Sequence, residues 1–252
     1  SLEFGNYDYL MFANVDYMHP DVQKETLDWI NWFVKETNVD GLRFDAVKHI
    51  NSQFMKMLLN HIHHEFGDDF FAVGEYWEFS KSTIDHYINA IDYKMDMFDV
   101  VLHYNFYRAS HNGKGFDMRT IFDDTLVKHH PAIAVTFVNN HDAQAGQSLE
   151  SYVERWFMPL AYGLILLRAD GFPCVFYGDY YGLTRENSMP AVRNEIDRLL
   201  NIRQYHAYGD QTDYFDHNNV IGWVRLGNEE HPLGCAVIMS SGNSGFKKMN
   251  VG

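Results

Sequence analysis

Three carboxylates stand out by where they fall. Asp45 ends Gly41-Leu42-Arg43-Phe44-Asp45, Glu75 ends Phe70-Phe71-Ala72-Val73-Gly74-Glu75, and Asp142 follows Ala134-Val135-Thr136-Phe137-Val138-Asn139-Asn140-His141. Each comes just after a short apolar run. Arg43 precedes Asp45 by two residues, so on an extended chain both point to the same side. A guanidinium there keeps a carboxylate ionised, and an ionised carboxylate can act as a nucleophile. Glu75, flanked by Val73-Gly74 and Tyr76-Trp77, has the partly desolvated setting that favours a protonated acid. Asp142 beside His141 suits hydroxyl binding and support of developing positive charge. One ionised and one protonated carboxyl about 5–5.5 Å apart are the equipment of retaining glycoside hydrolysis. Tyr76 and Trp77 add flat apolar faces for sugar rings, each with a polar handle. The plainer alternatives are an Arg–Asp lock on a strand end, helix-cap or loop carboxylates, and core packing for the two aromatics.

The elements that must position these groups alternate along the chain. His19-Pro20-Asp21 opens a helix that runs to about Thr37 on Val22, Trp29, Ile30, Phe33 and Val34. A strand over 41–45 follows, then a helix from Ser52 to Phe66 stopped by Gly67. Strand 70–75, helical residues 82–92 and a short strand near 98–101 come next. A loop and a helix around Met118 to Val127 precede strand 134–138. A long helix over about 152–170, strand 174–177 and a helix over about 190–205 close the series. Strands alternating with helices predict parallel βαβ units, and in a barrel the strand C-terminal ends converge on one face. Five strands are found where a closed barrel needs eight. The expected fold is therefore an incomplete (β/α)8 TIM barrel, about strands 4–8, in residues 1–206. Beyond it Val220–Val224 and Cys235–Met239 read as strands with no helix between them, the beginning of an antiparallel β-sandwich domain over 207–252.

Composition narrows the partners. The chain has 252 residues, 46% hydrophobic and 16% aromatic, enough for a sizeable core. A net charge of −14 argues against nucleic acid or an anionic membrane surface and favours a neutral substrate. Two cysteines, Cys174 and Cys235, make no disulfide framework. No run approaches the length of a membrane span. Residues 1–5 carry neither a signal pattern nor an initiator Met, so the compartment, cytoplasmic or secreted, stays open. A monomer is expected. His61, His63 and His64 do not share one helix face, so they read as solvated surface rather than a transition-metal site.

The segments Gly41-Leu42-Arg43-Phe44-Asp45-Ala46-Val47-Lys48-His49-Ile50, Gly74-Glu75-Tyr76-Trp77 and Phe137-Val138-Asn139-Asn140-His141-Asp142 resemble successive signature segments of the alpha-amylase family. Asn6-Tyr7-Asp8-Tyr9-Leu10-Met11, Phe98-Asp99-Val100, Gln147-Ser148-Leu149-Glu150, Val175-Phe176-Tyr177-Gly178-Asp179, Tyr214-Phe215-Asp216-His217 and Ile221-Gly222-Trp223 extend the likeness in order over nearly the whole chain. The resemblance is to the bacterial liquefying and intracellular members. It implies Asp45 as nucleophile, Glu75 as general acid/base and Asp142 as transition-state stabiliser in cleavage of internal α-1,4 bonds of starch or glycogen. It also implies that Arg43 and His141 assist at the cleaved sugar and that Lys48 and His49 contact the leaving-group side. A structural calcium is implied as well, held by Asp8 and Asn14 side chains and the His49 carbonyl, oxygen donors that suit the ion. Met18 stands where a second calcium would need a carboxylate, so no second ion is expected. The family's first signature, its first three barrel strands and its inserted domain are absent, so the piece alone is expected to be inactive. Related transglycosylases or maltooligosaccharide-forming enzymes, a non-catalytic carbohydrate-binding barrel, and a metal-dependent hydrolase using His141-Asp142 are the rival functions.

Overall fold

The computed structural model describes residues 15–183 and 189–252. The chain divides into two compact units, Ser1–Phe98 and Asp99–Gly252.

In the first unit the order is α1 (Pro20–Thr37), β1 (Gly41–Phe44), α2 (Ser52–Phe66), β2 (Phe71–Gly74), α3 (Lys81–Ala90) and β3 (Asp96–Phe98). The helix ends follow from their caps. His19 Nδ1 accepts from the Asp21 N–H, and Asn38 closes α1 in the left-handed region at φ 52°. Asn51 accepts from Gln53 and Phe54, and Gly67 at φ 106° ends α2. One face of α2 carries Phe54, Met55, Leu58, Leu59 and Ile62, all buried. β1, β2 and β3 are parallel neighbours, with Gly41 opposite Phe71, Phe44 opposite Gly74 and Gly74 opposite Met97. Gly41 is required by that pairing, since a Cβ there would lie 2.7 Å from the Phe71 carbonyl oxygen.

The second unit contains α4 (Val100–Asn112), α5 (Leu126–His129), β4 (Ala134–Phe137), α6 (Met158–Leu166), β5 (Phe172–Cys174), α7 (Tyr177–Tyr181), α8 (Arg193–Tyr205), β6 (Gln211–Tyr214), β7 (Val220–Arg225) and β8 (Cys235–Ser240). β4 and β5 are parallel, while β6, β7 and β8 form an antiparallel sheet. The parallel β/α pattern of part of a (β/α)8 barrel is thus followed by an antiparallel β region. The expected 206/207 boundary runs within this unit, between α8 and β6.

Several elements differ from the sequence expectation. The strand expected at 98–101 ends at Phe98, because Asp99 instead caps α4: its Oδ1 accepts from Leu102 at 3.0 Å and its Oδ2 from Val127 at 2.8 Å. Burial pushes the Asp99 carboxyl up to about 6 despite those donors. The helix expected around 118–127 is only a 3-10 turn at Met118–Thr120 and the single turn α5. The long helix expected from 152 shrinks to α6, with Pro159 in its first turn. Val175-Phe176 leaves the sheet, and α7 starts at Tyr177.

Candidate active site

In the first unit β1 and β2 deliver Asp45 and Glu75 one residue beyond the registered pair Phe44–Gly74. Parallel neighbours lie about 4.8 Å apart, so the backbones of Asp45 and Glu75 leave the sheet side by side. Their strand ends are stitched by the chain itself. The Glu75 N–H donates to the Phe44 carbonyl at 2.9 Å, and the Val47 N–H donates to the Glu75 carbonyl at 3.0 Å. The Ala46 N–H, held in the left-handed region at φ 47°, donates to Glu75 Oε2 at 2.9 Å. Arg43 Nη1 donates to Asp45 Oδ1 at 2.7 Å, as the two-residue spacing predicts. Asp45 stays open, with its side chain 72% exposed, whereas Glu75 is 7% exposed. The pair therefore combines an accessible carboxylate beside a cation with a second carboxyl sunk into the protein.

Lys48 and His49 lie in the 3-10 turn that follows. Lys48 Nζ donates to the Trp77 carbonyl at 2.9 Å, which ties the turn to the segment after β2. Burial, then the Lys48 charge, lowers the His49 pKa. Tyr76 and Trp77 are 2% and 6% exposed, and the Tyr76 ring lies 4.7 Å from that of Tyr87. This is a departure from the open stacking platform expected of them: here the two rings are walls packed into the core.

In the second unit β4 leads into Asn139, Asn140, His141 and Asp142. Asn140 Oδ1 accepts from the N–H groups of Asp142 and Ala143 at 3.1 and 2.8 Å, a local turn that sets the direction of Asp142. His141 Nε2 lies 3.3 Å from Asp142 Oδ2. Beneath them is a buried polar layer that sequence inspection did not pick out. Asn139 Nδ2 donates to both oxygens of Asp179 at 3.1 and 3.2 Å, Tyr162 Oη donates to Asp179 Oδ2 at 2.7 Å, and Asn139 Oδ1 accepts from Val153 at 2.9 Å. His103 bridges the Val138 carbonyl at 2.7 Å and Ser151 Oγ at 2.9 Å. A carbonyl only accepts, so Nδ1 carries the proton. Burial lowers the ring to about 4, and the Ser151 hydroxyl beside Nε2 donates to the Leu149 carbonyl at 2.7 Å. The available signal was a fourth carboxylate, Asp179, shortly after a fifth strand.

The expected calcium ligands Asp8 and Asn14 lie outside the described residues. Among the described residues, no three His, Cys, Asp or Glu side chains come together as a metal site. His61 Nε2 is 2.9 Å from Asn31 Oδ1, a bond between α2 and α1 that accounts for one of the clustered histidines. Among the described residues no helix is long and apolar enough to cross a membrane.

Comparison with known proteins gives a match of residues 6–219 to the model of the alpha amylase catalytic domain. The glucan 1,4-alpha-maltohexaosidase of Bacillus sp. (strain 707) is 50% identical over 251 residues, 99% of this chain and 48% of that protein. The alpha-amylase of Bacillus licheniformis is 46% identical over 255 residues, 100% of this chain and 50% of that protein. The chain spans about half the length of the curated relatives it matches. Among solved structures, an Anoxybacillus alpha-amylase matches the fold with a TM-score of 0.68 at 19% identity, over 87% of this chain and 52% of that one.

Proposed function

This chain belongs to the alpha-amylase family, and from that premise we propose that the whole protein hydrolyses internal α-1,4-glucosidic bonds of starch or glycogen with retention of configuration. The observation that carries the proposal is the side-by-side exit of Asp45 and Glu75 from adjacent parallel strands, one carboxylate open beside Arg43 and the other buried. In the first step the Asp45 carboxylate attacks the anomeric carbon while Glu75 gives its proton to the departing glycosidic oxygen, leaving a glycosyl ester on Asp45. In the second, the Glu75 carboxylate takes a proton from water as that water attacks the same carbon and frees Asp45. Asp142, with His141, binds sugar hydroxyls and supports the oxocarbenium-like charge. Arg43 pairs with Asp45 at 2.7 Å, and Lys48 with His49 borders the leaving-group side. Replacing Glu75 by Gln in the full-length protein lowers turnover on soluble starch by about 10²–10⁴-fold or more; near-normal turnover overturns the assignment.

The likeness to a protein named a maltohexaosidase favours a second reading of the product, a short maltooligosaccharide of defined length. Chromatography of early digestion products separates a single dominant length from a broad ladder. A structural calcium held by Asp8, Asn14 and the His49 carbonyl belongs to the same proposal. A chelator then lowers the melting temperature of the full-length protein, and calcium restores it. A melting temperature unmoved by chelation removes the ion from the account.

A further inference from the structure

The loop from Asn139 to Val153, which carries His141 and Asp142, is closed at its base by buried side chains rather than by a strand. Asn139 spans it through the Val153 N–H, and His103 spans it one step lower, from the Val138 carbonyl to Ser151. A primary amide can turn either face outward, and this one is fixed from both sides: the Val153 N–H only donates, so it faces Oδ1, and the ionised Asp179 carboxylate only accepts, so it faces Nδ2. Asp179 is 1% exposed and is itself steered by the Tyr162 hydroxyl. We infer that Asp179 is a positioning residue for Asp142, acting through Asn139, an inference that rests on Asp142 being the stabiliser proposed above. Burial pushes the Asp179 carboxyl up to about 6, against the pull of the Tyr162 and Asn139 donors and the field of Arg155. A carboxyl kept in that setting with no route to the substrate of its own is a holding group, and either protonation state leaves an acceptor for Asn139.

The test compares Asp179→Leu, Asp179→Asn, Tyr162→Phe and Asp142→Asn in the full-length protein, with kcat and KM on a soluble maltooligosaccharide. A 1 Å misplacement of a catalytic group costs on the order of 10²-fold. Asp179→Leu is expected to lower kcat about ten- to a hundredfold with KM within about twofold, and Asp179→Asn, which keeps shape and an acceptor, to stay within about threefold of wild type. Tyr162→Phe loses one hydroxyl and lowers kcat about threefold or more with KM unmoved. A purely structural role shows instead as lost folded protein with unchanged kcat per folded molecule, and that result in Asp179→Leu and Tyr162→Phe overturns the inference. Asp142→Asn separates the two levels. If it keeps its turnover, the role of Asp142 fails whatever the other variants do. If it abolishes turnover while Asp179→Leu does not, only the positioning role fails.

Discussion

The backbone N–H of Ala46 points at the Glu75 carboxylate, 2.9 Å away, from a residue in the left-handed region at φ 47°. A left-handed non-glycine residue costs about 1–2 kcal/mol, and here that conformation turns the chain from Asp45 back toward the neighbouring strand end. Ala46→Val puts a β-branched side chain where it is least tolerated. It is expected to lower kcat about tenfold or more by moving the N–H off Glu75. Ala46→Gly relieves the conformation but frees the unfolded chain, effects of opposite sign and similar size, so its stability stays within about 1 kcal/mol of wild type. Melting temperature and kcat of the two variants check both statements.

Arg43 and Asp45 make a 2.7 Å ion pair whose side chains are 37% and 72% exposed. Solvent screens such a pair, so it adds no more than about 1 kcal/mol to folding. Its expected effect is on chemistry. Arg43→Ala leaves the melting temperature nearly unchanged but lowers kcat on the order of 10²-fold, because the nucleophile loses its fixed cation. A large drop in stability with kcat preserved would assign the pair to strand locking instead.

The sequence made one class of feature legible and hid another. α1 and α2 could be read from periodicity and caps, and each candidate carboxylate could be read as polar residues closing an apolar run. The misplaced elements are those decided by contacts distant in sequence. Val100-Val101-Leu102 looks like a strand, yet Asp99 starts a helix there by accepting from Leu102, while Val127, 28 residues on, holds its other oxygen. Val175-Phe176-Tyr177 has strand composition, yet it leaves the sheet as the Phe176 N–H donates to Tyr162 Oη. His103 and Asp179 are single polar residues inside apolar stretches. Nothing local distinguishes them from surface positions until Val138 and Asn139 are folded onto them. Tyr76 and Trp77 show the reverse: their types suit a sugar site, but both are buried, Tyr76 against Tyr87 of α3.

His103 makes stability depend on acidity in a defined window. Its folded pKa is lowered to about 4 from 6.5, so the unfolded chain takes up the proton first as pH falls. The stability that the neutral ring contributes is whole above about pH 6.5 and is lost toward pH 4. Asp99 and Asp179, each raised to about 6, act with the opposite sign, stabilising most at low pH and least above 6. These terms cancel when wild type is compared with His103→Gln at each pH. The destabilisation caused by His103→Gln is expected to shrink by about 3 kcal/mol between pH 7 and pH 4. Denaturant melts of the full-length protein at the two values measure it, and a pH-independent difference rejects a neutral buried imidazole.

Arg168, just past α6, anchors the antiparallel sheet. Its guanidinium forms two 2.7 Å bonds to Asp213 of β6 and lies 4.7, 5.2 and 5.5 Å from the ring centres of Phe122, Phe215 and Trp223. The arginine side chain is 10% exposed and its partner 40%, so removing one partner costs less than in a fully buried pair. With the ring contacts, Arg168→Ala costs about 2 kcal/mol. Arg168→Lys recovers part of that, because an ammonium cannot reproduce the planar fork. A control at Lys24–Asp28, whose side chains are 72% and 58% exposed, changes almost nothing. We propose the domain boundary at 206/207, where α8 gives way to β6, and Arg168 spans it. Loosening that anchor therefore exposes the connection near Ala207 to protease before the parallel β/α part unfolds, yielding two fragments divided there. If cleavage of Arg168→Ala instead begins elsewhere while this connection stays intact, the antiparallel strands are an inseparable part of the second unit and the boundary is misplaced.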